Sequence, residues 1–373
     1  MMKRLTALLL AFLMLFGCVA FGEDTIDMNA GETEEAESVT EEADTSEEEE
    51  FFISDEMEEE IEILDAEIDD TVDPDNLDLN ENLPDNVVNI LLIGIDSRAL
   101  DLTKHNQHGD VQIIVSINKD TGSIKLTSVL RDLYVTIPGY KSKNRINVSY
   151  KRGGGELAMR TINKNFELNI EKYIVINFYG LASIIDALGG VDIEMTAKEA
   201  NAINAYIKKN PPAYDNQDDD YERVPLEKID GVQHLDGIQA VMYARVRSID
   251  NDFARTGRQR KLMEILLNKV LEDGMNYDKL LDLLSTCLPY AKTNMSASDM
   301  FSLALGVLQS GIMNKIGTGE SLLEQSRIPL DDTWKYDETE SGASVVAFRT
   351  TARLKENIQA LHEFIYGEYI PAE

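Results

Sequence analysis

A continuous apolar run at residues 89–95 (NILLIGI) is the feature that most limits how this chain can fold. Polar residues bound the run at both ends, which is typical of a strand buried on both faces of a sheet. Two further runs follow at 111–117 (VQIIVSI) and 124–130 (IKLTSVL), and the turn-rich segment NKDTGS joins them. The three runs predict consecutive strands connected as hairpins.

Downstream of the third run, the pattern alternates between helix and strand. We expect helices at 155–167 and 178–188, and strands at 173–177 and 191–195. The glycines Gly189 and Gly190 end the second helix. Strands that are first joined as hairpins and later spaced by helices predict an α/β sandwich with a mixed sheet.

Charge is distributed very unevenly along the chain. The 373 residues include 68 Asp or Glu and 35 Lys or Arg, for a net charge of −33. This balance argues against nucleic acid as a partner, because phosphate backbones need an excess of basic surface. Residues 23–85 contain 29 of the acids and no Lys or Arg, so residues 86–373 carry only about −6. We therefore expect a disordered acidic linker at 23–85 and a folded domain at 86–373.

The N-terminus has the pattern of an export signal. Lys3 and Arg4 precede an apolar run at 5–21, and Ala20 and Gly22 are small residues of the kind that cleavage requires. A cleaved signal peptide, a retained membrane anchor and a lipoprotein modified at Cys18 all remain open. Each places the domain outside the cytoplasm, at the outer face of the membrane or in the cell wall. Cys287 is the only other cysteine, so no intrachain disulfide framework or cysteine metal site can form.

Two carboxylates and a guanidinium are predicted to meet at one edge of the sheet. If the first two strands pair antiparallel, Asp96 after the first strand lies near Asp110 before the second. If the next hairpin is also antiparallel, the third strand brings Arg131 to the same edge. Strand-end caps and a simple salt bridge are the alternative explanation.

A second group of basic residues lies downstream. Arg245 and Arg247 point the same way in an extended segment, and Arg255 and Arg258 lie on the core-facing stripe of an amphipathic helix. Guanidinium groups directed inward need an anion, which could be an internal partner such as Asp252 or a phosphate ligand. Because guanidinium forks fit phosphate oxygens, we predict a phosphate or diphosphate ligand.

The segment between these two groups is glycine-rich and basic. Lys141, Lys143 and Arg145 are predicted to lie in a solvated loop or at the rim of a cleft. The triple glycine 153–155 could cradle a phosphate, but it is more typical of a flexible helix entry.

At this point the residues resemble a known family, the LytR-CpsA-Psr (LCP) proteins of the bacterial cell envelope. The resemblance is strong over residues 88–273 and weaker to Gly367. It rests on NILLIGIDSR (89–98), HGDVQIIVSIN (108–118), LRDLYVTIPGY (130–140), NRINVSY (144–150), HLDGIQAVMYARVR (234–247) and DFARTGRQRK (252–261).

The resemblance implies a three-layer α/β/α sandwich, with a core at 88–273 and a helical C-terminal extension to about 370. It also implies a phosphotransferase that moves an anionic glycopolymer, such as teichoic acid or capsule, from a polyprenyl-diphosphate carrier at the membrane surface to peptidoglycan. Asp96 and Asp110 would hold Mg²⁺ or Mn²⁺, and either could act as the base. Arg131 would act with them in catalysis. The residues that would bind the diphosphate or orient its neighbours are Arg98, Arg245, Arg247, Arg255, Arg258 and Gln259.

Two details of the resemblance concern His108 and the lipid tunnel of the family. His108 stands where many members carry Arg, which puts a direct phosphate contact at this position in doubt. The family's lipid tunnel would be lined by helices around Leu157, Ile162, Phe166, Leu181, Ile184 and Ile185, each of which could equally be plain core. A catalytically silent polyprenyl-phosphate or wall-polymer binding protein, or a regulatory envelope protein, remains the alternative function.

Overall fold

The computed structural model describes residues 71–95, 107–209, 223–246, 291–296, 323–339 and 342–372, with single positions at 258, 261, 262, 265, 266, 269, 299, 300 and 303. The strands of this part are β1 (Val87–Ile95), β2 (Gly109–Asn118), β3 (Ile124–Val129), β4 (Tyr134–Val135), β5 (Asn144–Arg145), β6 (Lys172–Asn177), β7 (Val191–Met195), β8 (Gly231–Leu235), β9 (Ala291–Thr293), β10 (Leu323–Ile328), β11 (Trp334–Glu338) and β12 (Ser344–Phe348). The α-helices are α1 (Val148–Phe166), α2 (Phe178–Ala187), α3 (Ala197–Lys209), α4 (Gly237–Arg245) and α5 (Thr351–Tyr366).

Six strands form the central sheet, in the order β10-β3-β2-β1-β6-β9. The pairs β1–β2 and β2–β3 are antiparallel, as the three apolar runs predicted. The pairs β1–β6 and β3–β10 are parallel, because helices or longer segments connect those strands. The prediction of a mixed sheet is therefore confirmed.

Helices cover the sheet on both faces. Successive strand residues point to opposite faces, so Leu92 belongs to one buried cluster and Leu91 to another. The first cluster includes side chains of α2, α3 and α4, and the second includes side chains of α1 and α5. The structure thus has three layers, α/β/α, and β1 is apolar throughout because both of its faces are covered.

Residues 71–85 belong to the folded domain, so the expected linker over 23–85 is wrong for this part. Leu77 and Leu83 are only 1% and 4% exposed. The segment runs along α1: the Asp73 N–H donates to Glu156, and the Arg160 Nε lies 2.6 Å from Asp78 Oδ2. Five acids give residues 71–85 the composition of a linker, although the segment also contains Leu77 and Leu83, which reach the core.

The C-terminal part is not simply a helical extension. β9 and β10 belong to the central sheet, so the sheet continues past the predicted core limit at residue 273. β11 and β12 form a separate hairpin, and α5 packs behind the sheet. Edge strands such as β10 (LEQSRI) are short and polar, and they carry little of the apolar signal from which strands are predicted.

The triple glycine has a packing role. α1 begins at Val148, earlier than predicted, and its turns are interrupted by non-helical dihedrals at Gly153 and Gly154. A Cβ on Gly155 would lie 2.5 Å from the Tyr173 ring, so the helix can approach β6 only with glycine at this position. In the described part of the chain, none of the helices has the length and apolar character that crossing a membrane requires.

Candidate active site at one edge of the sheet

The strand register gathers several chain segments at one edge of the central sheet. Ile95 at the end of β1 pairs with Gly109 at the start of β2 and with Asn177 at the end of β6. Val129 at the end of β3 pairs with Gln112, near the start of β2. We call this end of the sheet the site edge. The residue after β1 is Asp96, which lies outside the described residues, as does Arg98.

Asp110 and Arg131 meet at the site edge, as the hairpin register predicted. Arg131 Nη1 lies 3.6 Å from Asp110 Oδ1, and the two side chains are 44% and 24% exposed. Asp132 then joins Arg131 to Arg145, with nitrogen–oxygen distances of 3.5 and 3.3 Å. Exposed ion pairs add little to the free energy of folding. These pairs therefore matter for how they orient the guanidinium groups.

Asn147 connects the parts of this site, although the sequence did not single it out. Its N–H donates to the Arg131 carbonyl (3.2 Å), and its own carbonyl accepts from the Gly109 N–H (3.1 Å). Its side-chain Nδ2 donates to Asp110 Oδ1 at 3.2 Å. Asn before a helix is typical of an N-cap, but Asn147 makes no side-chain cap bond to α1. Its side chain instead orients Asp110, the candidate catalytic carboxylate.

His108 lies beside Asp110 in a cationic environment. Its Nε2 is 3.5 Å from Lys151 Nζ, and its buried Nδ1 has no hydrogen-bond partner among the described residues. Burial lowers the pKa of His108, and the positive charge of Lys151 lowers it further, while Asp110 opposes the shift. The imidazole is therefore a weaker source of positive charge than an arginine would be, and Lys151 supplies a permanent cation next to it.

Arg245 reaches the same edge from the other helical layer. Its guanidinium carbon lies 3.5 Å from the centroid of the Phe178 ring. Phe178 is the first residue of α2 and directly follows Asn177, whose Oδ1 caps the helix by accepting from the Gly180 N–H at 2.8 Å. A guanidinium stacked on an aromatic ring is oriented by that ring, so Phe178 fixes the plane of the Arg245 guanidinium.

Arg258 has internal partners that explain its inward direction. Its side chain is 4% exposed and donates to the Tyr243 and Val246 carbonyls at 3.2 and 2.6 Å. Its Nη1 lies 3.4 Å from Glu199 Oε1. These contacts close the end of α4, which favours the internal-partner explanation with Glu199 in the place considered for Asp252. Direct substrate binding by Arg258 stays a prediction, as do the roles of Arg247, Arg255 and Gln259, which lie outside the described residues.

The expected tunnel lining does not form one surface. Ile162 and Phe166 belong to the cluster under α1, whereas Leu181, Ile184 and Ile185 belong to the cluster under α2. The sheet separates the two sets, so they cannot line one tunnel together. Apolar periodicity identified helix faces correctly but did not show which face of the sheet each helix covers.

The donors at the site edge suit a hard divalent cation. Asp110 supplies carboxylate oxygen, the ligand type that Mg²⁺ prefers, and only its Oδ1 has hydrogen-bonding or ionic partners among the described residues. Within those residues there is no group of three or more His, Cys, Asp or Glu side chains placed to hold a metal. Asp110 is therefore one candidate oxygen ligand for a divalent cation at the site edge.

Two known transferases are similar to this chain in sequence. A TagU from Enterococcus faecalis, named as a polyisoprenyl-teichoic acid–peptidoglycan teichoic acid transferase, is 32% identical over 220 residues, covering 58% of this chain and 64% of that protein. A transferase of the same name from Bacillus cereus is 30% identical over 223 residues, covering 58% and 63%. The matched region therefore spans less than two thirds of the length of these relatives.

Solved structures share the fold. A protein from Streptococcus agalactiae superposes with a TM-score of 0.57 at 23% identity, covering 77% of this chain and 91% of that one. TagV from Bacillus subtilis superposes with a TM-score of 0.53 at 24% identity, covering 78% and 100%. A family model described as LytR_cpsA_psr matches residues 51–346. Because that match covers well over half of the chain, the protein belongs to the LytR-CpsA-Psr family.

Proposed function

We propose that this protein is a phosphotransferase that moves an anionic glycopolymer from a polyprenyl-diphosphate carrier onto peptidoglycan. The observation that carries the proposal is the pairing of Asp110 with Arg131 at the site edge, where β1 also ends. The names of the E. faecalis and B. cereus relatives support it, since both are called teichoic acid transferases that act on a polyisoprenyl-linked polymer and peptidoglycan.

The reaction exchanges one phosphorus–oxygen bond for another. A sugar hydroxyl of the acceptor attacks the phosphorus that carries the polymer. The bond from this phosphorus to the bridging oxygen of the diphosphate breaks, and polyprenyl phosphate leaves with the electron pair. The hydroxyl proton passes to a carboxylate of the Asp96 and Asp110 pair, for which we propose the role of base.

The positive groups at the site edge stabilise the charge that builds during this exchange. Arg131 is held toward Asp110, and Arg245 approaches from the opposite layer, so guanidinium groups can meet a diphosphate from two sides. Arg98, Arg247, Arg255 and Gln259 complete the proposed set. Asn147 orients Asp110 and has no proposed contact with substrate.

A divalent cation is part of the proposal. Asp96 and Asp110 would hold Mg²⁺ or Mn²⁺, which would neutralise part of the diphosphate charge and polarise a phosphoryl oxygen. The protein would work outside the cytoplasm at the membrane surface. Support for this location is the basic and apolar pattern of residues 1–22, together with a substrate that is itself a membrane lipid.

The decisive experiment measures release of polyprenyl phosphate from a synthetic oligosaccharide diphosphate lipid, with and without a peptidoglycan fragment as acceptor. Asp110→Asn removes the charge while keeping the shape, and we expect the rate to fall about a hundredfold or more. Chelation should have the same effect on the wild-type protein, and added Mg²⁺ or Mn²⁺ should restore the rate.

The matched control is Asp120→Asn. Asp120 is an exposed carboxylate in the turn between β2 and β3, at the opposite end of the same strands. It should leave the rate unchanged. Full activity of Asp110→Asn without metal would disprove the two-carboxylate site. A wild-type protein that binds the lipid but never transfers it, with any acceptor or metal, would favour a binding protein.

A further inference from the structure

Residues 131–152 carry a local charge opposite to that of the chain. The segment contains six Lys or Arg and one Asp, a net charge of +5 in a protein of −33. It leads from the end of β3, through β4 and β5, into the first turn of α1, so it begins and ends at the site edge. We call its six cations the basic surface: Arg131, Lys141, Lys143, Arg145, Lys151 and Arg152.

Carboxylates of the described residues pair with only two of these six cations. Arg131 and Arg145 share the single carboxylate of Asp132, and Arg131 also meets Asp110. The other four cations are exposed, and none of them has a carboxylate partner among the residues that the structure describes. Like charges held close together repel one another, so a surface of this kind is stabilised when an anion binds.

Two of the cations are held in place by neighbouring rings. The guanidinium carbon of Arg152 lies 4.2 Å from the centroid of the Tyr140 ring. The ammonium of Lys151 lies 3.5 Å from His108 Nε2. Tyr140 is 42% exposed, so the surface presents an aromatic face among fixed charges. Aromatic faces pack against sugar rings, and cations pair with phosphates.

We propose that the basic surface binds the repeating anionic groups of the glycopolymer while its first phosphate lies at the site edge. The inference rests on the proposed function, since it names how that substrate is held. It separates two kinds of contact: the diphosphate is bound by the arginines around Asp110 and Arg245, and the polymer chain beyond it by the lysines and Arg152. The polymer would therefore carry a phosphodiester or a carboxylate in its repeat.

A polymer fits this surface better than a membrane does. Tyr140 is the only large apolar side chain that is exposed in the described segment 131–152, whereas peripheral membrane surfaces present several apolar side chains to the lipid. The surface is also continuous with Asp110 through Arg131, as a chain leaving the reacting phosphorus would require.

The test compares two triple variants of the full chain with the same change in charge. Lys141→Gln, Lys143→Gln and Arg152→Gln remove three cations of the basic surface. Lys208→Gln, Lys209→Gln and Lys355→Gln remove three exposed lysines elsewhere. The probe is a soluble poly(glycerol phosphate) chain, with neutral dextran and phosphatidylglycerol-containing vesicles as comparisons. Binding is measured over a range of salt concentrations.

We expect the basic-surface variant to bind poly(glycerol phosphate) about tenfold more weakly and with a smaller salt dependence, because fewer counterions are released. The control variant should bind like the wild type. Equal losses in both variants, no loss in either, or a loss confined to vesicle binding would each overturn the proposal.

Turnover separates this inference from the proposed function. The basic-surface variant should keep the wild-type rate on a diphosphate lipid that carries one neutral disaccharide, and it should lose rate on a lipid that carries a polyanionic chain. If the wild type binds the polymer through this surface but transfers nothing, the binding inference stands and the proposed enzyme function fails. Equal rates of variant and wild type on the polyanionic lipid would overturn the inference.

Discussion

Arg245 and Arg258 show that arginines can serve two different purposes in the same molecule. Four arginines of the downstream blocks were predicted to bind phosphate because they point inward or lie together. The structure describes two of them, and they differ: Arg245 stacks on Phe178 at the site edge, while Arg258 closes the end of α4. Sequence spacing shows that a guanidinium points inward, but it cannot show whether carbonyls or a ligand meet it.

Replacing Arg258 by Met should mainly reduce stability. The change keeps much of the volume but removes the hydrogen bonds that Arg258 donates to two carbonyls and its ion pair with Glu199 Oε1. We expect the free energy of unfolding in urea to fall by about 2–4 kcal/mol. Arg245→Met, which removes a cation–π contact, should cost about 1 kcal/mol or less. If Arg258→Met is as stable as wild type yet no longer binds the diphosphate lipid, Arg258 is a substrate residue after all.

The contact between Asp110 and Arg131 could be predicted from the sequence, whereas the role of Asn147 could not. Asp110 and Arg131 follow from strand ends and antiparallel register alone. Asn147 depends on the path of the chain between β5 and α1, where a residue typical of a helix cap turns its side chain to Asp110. Loop geometry of this kind leaves no periodic signal in the sequence.

At the scale of elements, a buried histidine fixes α5 to α1. His362 is fully buried, and its Nε2 lies 3.0 Å from the Phe166 carbonyl at the end of α1. Its Nδ1 accepts from the Ile370 N–H at 3.4 Å, which requires the neutral ring. Burial lowers the pKa of His362, although hydrogen bonds and the charge of Glu167 oppose the shift.

The sign of the resulting pH dependence follows from this shift. The unfolded chain binds the proton near pH 6.5, and the folded protein binds it only at lower pH. His362 therefore stabilises fully above about pH 6.5, and this contribution is lost as the pH falls below that value. Between pH 7.5 and 5.5, the wild type should lose more stability in urea than His362→Gln does. Parallel curves for the two proteins would contradict the assignment.

Elements with strong apolar signals were predictable and polar edge elements were not. β1, β2, β3, β6 and the helix α2 lie close to their expected bounds because burial on both faces, or a full apolar helix face, marks them. β10 pairs only with β3, and β11 and β12 form a hairpin outside the central sheet. β10 and β11 are mostly polar, and β12 is apolar with Val345 and Val346 buried but is only five residues long, so none of them stands out in the sequence.

Deletion can test whether residues 71–85 are part of the folded domain. Removing residues 71–85 exposes the surface that Leu77 and Leu83 cover, and it also removes the Arg160–Asp78 pair. We expect this to lower the free energy of unfolding by about 3–6 kcal/mol. Removing residues 25–70 should leave it nearly unchanged, because that composition offers few packing contacts. Equal free energies of unfolding for the two deletions would contradict the packing role of residues 71–85.

The path of residues 71–80 along α1 has a consequence for the acidic stretch that precedes them. Asp73 meets Glu156, which is only four residues beyond Arg152 on the same helix, so the preceding chain joins the domain next to the basic surface. Residues 23–70 contain 24 carboxylates and no Lys or Arg. Because these carboxylates are covalently attached to the domain, we expect them to compete with a polymer for the basic surface. The affinity of a polymer for the full chain would then be lower than its affinity for a protein that lacks residues 23–70.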